Sequence, residues 1–202
     1  MHAFRAAAVA ALVLTFGCAA IPLAPTPASA PSHDDGDVYA AVFDSTVGPQ
    51  AERPKLAIHD RTTIARDWVK PEDVHRVLPK ASDRLVDDFF ARSAVEHPLA
   101  PSAFARVSNL TVELLSDEDL KRAFATEFLD QEWARFRDTH PGVRSIVNFS
   151  AVGYDDAAHT ALVYMDAGCG PSCGAAYLFA LERGDNGAGP WRVTDTRLLW
   201  AN

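Results

Sequence analysis

Cysteine is scarce in this chain, at three in 202 residues, and so is basic charge. Nineteen Lys and Arg stand against 27 Asp and Glu, a formal net charge of −8. A nucleic-acid partner needs clustered cations to meet its phosphates, so that class is excluded. Electrostatic adhesion to an anionic membrane face is disfavoured on the same ground. No apolar run is long enough to span a bilayer, and there is no internal repeat. His59, His75, His97, His140 and His159 are scattered, with no two at the spacing that sets a pair of imidazoles on one helix face. No metal and no cofactor is therefore assigned. No histidine follows His159, which blocks the one nucleophile-like motif. Gly170-Pro171-Ser172-Cys173-Gly174 matches Gly-x-Ser-x-Gly, but that elbow needs a strand, a turn and a helix, with its acid and histidine later in the chain. No catalytic residue is assigned.

What is present begins with a leader. Met1 to Arg5 is short and positive, and Ala6 to Phe16 is apolar but for one Thr, the length of a signal-peptide core. Residues 1–20 are expected to be removed on export. Thr15-Phe16-Gly17-Cys18 resembles the lipobox of bacterial lipoproteins, with Thr15 where an aliphatic residue is expected. Lipidation at Cys18 and ordinary cleavage after Ala20 or Ala30 both stand at this point. A lipid there would be the chain's only membrane contact. Residues 19–36 are rich in Pro, Ala and Ser and read as a tether, with a single domain over 37–202.

With Cys18 removed or blocked, Cys169 and Cys173 remain as a pair in an oxidising compartment. Cys-x-x-x-Cys is one residue longer than the thioredoxin-type motif, and redox work needs a thiolate stabilised by a helix N-terminus or a cation. Seven apolar residues, Ala175 to Leu181, suit a strand better than a helix by length. A structural disulfide is therefore expected, with thiol-disulfide or metal-handling chemistry at Cys169 and Cys173 as the rival.

The fold class expected is α+β, with helices packed on one face of a mainly antiparallel sheet. Asp37 to Asp44 reads as a helix or strand, with Tyr39 and Phe43 favouring helix. Lys55 to Asp60 and Leu110 to Leu115 read as strands. Pro71 opens one helix, Ser82 caps a second with Leu85, Val86, Phe89 and Phe90 on its apolar face, and Ser116 opens a third with a capping-box spacing. Leu120 to Phe136 continues at helical spacing to a stop at His140-Pro141-Gly142, with a break near Phe128 to Gln131. Four strands follow as a meander: Ser145 to Tyr154, Thr160 to Asp166, Gly174 to Glu182 and Trp191 to Trp200. Leu162 to Met165 is apolar at every position, which suits a strand covered on both sides.

Trp133-x-x-Phe136, His140-Pro141-x-x-Arg144, Phe149-Ser150-x-Val152-Gly153-Tyr154, Ala161-Leu-Val-Tyr164, Cys169-Gly-x-x-Cys173-Gly174 and Trp191-x-Val193…Trp200 together resemble a pattern of uncharacterised secreted bacterial proteins. That resemblance implies export and this fold, and it carries no activity. The carboxylates Asp87, Asp88, Glu127 and Glu132 read as a solvated face, with Glu132 and Arg135 as a surface helix pair. Tyr154, Tyr164, Tyr177 and Trp191 are the aromatic residues to consider as ligand contacts, each with a core role as the plainer reading. The function expected is a non-enzymatic binding or structural module of the envelope or exterior, with its partner unknown.

Overall fold

A computed structural model describes residues 33–47, 53–125, 128–155 and 157–202. The expected signal peptide with its candidate cleavage sites, Cys18 and Glu127 lie outside the described residues. Helix α1 runs from His33 to Val47, so the last residues of the expected tether belong to the fold, and Asp35 is fully buried. Among the described residues no helix is long and apolar enough to cross a membrane.

The elements after α1 are β1 (Lys55–His59), α2 (Pro71–Val77), α3 (Asp83–Arg92), β2 (Thr111–Leu115), α4 (Asp117–Ala123), α5 (Leu129–Thr139), β3 (Val143–Phe149), β4 (Gly153–Tyr154), β5 (Thr160–Gly170), β6 (Cys173–Arg183), α6 (Gly184–Gly187) and β7 (Trp191–Ala201). Local chemistry sets the helix starts. Ser82 Oγ accepts from the Leu85 amide at 3.2 Å. Ser116 Oγ accepts from the Asp119 amide, and Asp119 accepts in return from the Ser116 amide at 3.1 Å, closing a capping box.

The strands form one seven-stranded sheet in the order β2-β1-β3-β5-β6-β7, with β4 paired to β5. The fold is α+β, and β5 to β7 are antiparallel as expected. The sheet is nevertheless mixed, because β1 pairs parallel with both β2 and β3. The connections from β1 to β2 and from β2 to β3 contain helices, the long crossovers that parallel neighbours require.

Helices cover both faces of the sheet rather than one. Strand β5 explains this, since alternate residues point to opposite sides and both sets are apolar. Ala161, Val163 and Met165 join Tyr39, Phe43, Phe104 and Phe149 in a core under α1. Leu162 and Tyr164 join Leu85, Val86, Phe89 and Phe90 under α3. Further along the second face, Trp133 and Phe136 of α5 pack on Ala57, Leu115 and Ile146. At Gly153 the chain passes so close beneath α3 that a Cβ would collide with the Phe89 backbone.

Candidate functional site

Cys169 and Cys173 are bonded to each other, with 5.1 Å between their Cα atoms. They close the tip of the β5–β6 hairpin, where Gly168 pairs with Gly174 and Gly170 with Cys173. Cys169 is the extra residue of this irregular step, so the bond braces a bulge beside a two-residue turn. Cys173 opens a strand, and no helix N-terminus faces its sulfur. Ser172 sits exposed on the turn with strand after it, so the Gly-x-Ser-x-Gly match has none of an elbow's geometry.

A polar cluster interrupts the second face of the sheet between its two helical layers. Asp166 of β5 pairs in register with Asn148 of β3, and the Asn148 amide donates to the Asp166 carboxylate at 2.8 Å. On one side of Asp166 along β5 lies Tyr164, under α3; on the other lies Gly168, against the Trp133 indole of α5. Asp166 is 9% exposed. Burial raises its carboxyl above the ordinary value, against the Asn148 and Tyr164 hydrogen-bonding groups and the His59 charge. The Tyr164 hydroxyl is buried and makes no hydrogen bond of good geometry, although it acts on Asp166 and Trp200. Burial first, and then the Asp166 charge, raise its pKa.

The cluster is ringed by aromatic and ionic groups. Trp68 is half exposed and stacks on Tyr164 at 6.4 Å, its indole donating to Thr63 Oγ1 at 3.0 Å. Trp200 packs against Gly174. His59, at the carboxyl end of β1, bonds Asp117 at 2.8 Å. That bond lowers the Asp117 pKa, with help from Arg61, whose Nη1 lies 3.4 Å from Asp117.

A second polar node joins α1, α3 and β4. Arg92 reaches both oxygens of the buried Asp35 at 3.3 and 3.4 Å, and the Tyr154 hydroxyl donates to Asp35 at 2.6 Å. Arg92 also lies over the Tyr154 ring, 5.2 Å from its centroid. The Tyr154 amide donates to Asp88 at 2.7 Å. Each residue of this node makes a polar bond to another element, although Arg92 Nε is buried without a partner among the described residues, and together they fasten α1 to the sheet. A groove of about 470 Å³ between the α2–α3 connection and β5 to β7 has much of its polar lining engaged too. Ser82 caps α3, Asp155 accepts from the His159 and Thr160 amides, and Arg197 bonds Asp195 at 2.8 Å.

The residues weighed from sequence divide clearly. Tyr164 and Trp191 are core residues, while Tyr154 and Tyr177 are partly buried. Glu132 is 1% exposed, so it is no surface helix partner of Arg135. It lies on the same side of α5 as Trp133 and Phe136. Asp88 is a ligand of the β4 backbone rather than a solvated acid. Among the described residues no group of His, Cys, Asp and Glu is gathered as a metal would need. His59, His75, His97 and His140 each have a local partner: His140, for example, stacks on Phe136 at 4.7 Å and bonds Glu113 at 2.8 Å.

Sequence reasoning missed Asp166, Asn148 and His59. One signal was available: Asp166 follows the wholly apolar Ala161 to Met165 in a strand covered on both sides, where a charge is out of place. Comparison of the chain with protein-family models, with curated proteins and with solved structures finds no match in any of the three.

Proposed function

We propose that this chain is an exported, non-catalytic binding module whose ligand group is received at Asp166, between the α2–α3 and α4–α5 layers. The observation that carries the reading is a carboxylate nine-tenths buried in the middle of a sheet. It lies beside a buried hydroxyl that lacks a well-formed hydrogen bond. Buried polar groups in native folds are nearly always satisfied, and exceptions concentrate where a protein does its work. The fold has no evident use for this charge, whereas the Asp35–Arg92 pair fastens a helix.

A buried carboxylate beside Tyr164, on whose ring Trp68 stacks, favours a small cationic ligand, because ring faces and carboxylate both attract positive charge. Export is supported by the leader-like N-terminus, whether cleaved or lipidated at Cys18, and by a disulfide of the kind that persists in oxidising compartments. The rival use of Cys169 and Cys173 in thiol exchange or metal handling is disfavoured. Each sulfur is spent on the other, and neither sits at a helix N-terminus.

The test is a titration of ¹⁵N-labelled protein with ethanolamine and spermidine, followed at the Asn148 side-chain amide and the Trp200 indole. Saturable shifts that vanish in Asp166→Asn are expected. Shifts that never saturate, or that persist unchanged in the variant, count against the reading.

A further inference from the structure

The two edges of the sheet, β2 and β7, are finished differently. Strand β7 carries register shifts against β6 and the charged side chains of Arg192, Asp195 and Arg197. Strand β2 pairs with β1 in unbroken register from Thr111 to Leu115, and it contains no Lys, Arg or Pro. Shortness apart, its one guard against pairing with another chain is the charge of Glu113.

The backbone of β2 divides by alternation. The Thr111 amide donates to the Pro54 carbonyl at 2.9 Å, and the Leu115 carbonyl accepts from the Asp60 amide at 2.8 Å. Thr111, Glu113 and Leu115 thus serve the β1 side, which turns the N–H and C=O of Val112 and Leu114 outward. Among the described residues no hydrogen bond is made to those outward groups. The Val112 and Leu114 side chains stand on the α1 face. There they line an apolar groove of about 400 Å³ with Pro101, Phe104, Val107 and Leu110.

We propose that β2 is the seat of a two-fold dimer, formed with the same strand of a second copy. Antiparallel pairing centred on Glu113 sets Val112 of one copy opposite Leu114 of the other. Each such pair exchanges both of its backbone bonds, so every outward group of both strands is satisfied at once. A two-fold axis demands self-complementarity of this kind, and the placing of Val112 and Leu114 on either side of Glu113 supplies it. The apolar side chains of the two strands then share one face and join the two grooves into a strip. Glu113 meets its own copy on the other face, where like charges directly opposite destabilise a sheet. Each Glu113 is already held by Lys55 at 2.7 Å and His140 at 2.8 Å. The charge that would guard this edge is thus compensated within its own chain. The surface shares no residue with the site at Asp166.

Amide exchange reads the pairing residue by residue. Labelled protein is compared at roughly 10 μM and roughly 1 mM, in about 0.15 M salt to screen repulsion between net-negative copies. The Val112 and Leu114 amides are expected to exchange several-fold more slowly at the higher concentration, as mass action populates the dimer. The Thr111, Glu113 and Leu115 amides are expected to be slow at both. This comparison is made on the parent protein and needs no variant. Val112→Pro removes an outward N–H at an edge position, where proline is tolerated, and is expected to sediment as a monomer while the parent's mass doubles. Val112 and Leu114 amides that are fast at both concentrations would overturn the proposal, since the edge is then open. Amides slow at both would overturn it equally, since another part of the same chain then covers the edge. A folded Val112→Pro that dimerises like the parent would do the same.

Discussion

Two buried aspartates in this protein are treated in opposite ways by their surroundings. Asp35 has no exposed surface, and it is met by a guanidinium and a phenol. Removing one partner of such a buried pair costs far more than the pair itself contributes, because an uncompensated charge is left behind. Arg92→Ala should therefore destabilise the fold by about 3 kcal/mol, read from the shift in a urea unfolding midpoint. A loss no greater than that of an exposed arginine would show the node to be ornamental. Among the described residues no cation is bonded to Asp166: the Asn148 amide donates to it, and the Tyr164 phenol acts on it. Its raised carboxyl has a definite consequence. Between the ordinary carboxylate value and the raised one, the folded protein holds a proton that the unfolded chain has lost. Stability from this group therefore falls as pH rises through that window, and the cost is complete above the raised value.

At the scale of elements, the β5–β6 hairpin shows how a short crosslink serves a sheet. The bond closes a five-residue loop, for which the chain-entropy account predicts about 2 kcal/mol. Reduction, or the Cys169→Ser and Cys173→Ser double variant, should lower stability by that amount and leave the hairpin register intact, as followed by amide exchange on β6. Loss of the whole fold would mean that the bond does more than brace a tip. The edge strand β7 is shaped by a related need. It carries an extra residue at two places along its pairing with β6, and bulges of this kind twist an exposed edge away from other chains.

These elements were legible because their signals are local. Ser82 and Ser116 cap helices where their spacing says they must, and Ala175 to Leu181, seven apolar residues between glycines, is short for a helix and lies in a strand. Parallel pairing of β1 with β2 and β3 has no local signal; it depends on where a helical connection returns. The expected strand Ser145 to Tyr154 divides into β3 and β4. Between them, Ser150 turns inward to accept from the Tyr164 amide at 2.9 Å, a contact 14 residues away in sequence.

For the molecule as a whole, the second face of the sheet is where fold and proposed function meet. From sequence the helices were placed on one face of the sheet, although Leu162 to Met165 already read as a strand covered on both sides; α1 takes one face, and α3 and α5 share the other. The site was invisible for a related reason. Asp166, Asn148 and His59 come from β5, β3 and β1, neighbours in the sheet but far apart in the chain, so no spacing announces them. The central claim is that Asp166 is kept at the expense of stability, for a ligand's sake. Urea unfolding of Asp166→Asn beside the parent protein, across a pH series, tests this most directly. The account predicts a variant more stable than the parent at neutral pH, with the advantage fading as pH falls towards about 4, the ordinary carboxylate value. A variant less stable than the parent at neutral pH would contradict it, making Asp166 a structural residue and leaving the proposed site without its foundation.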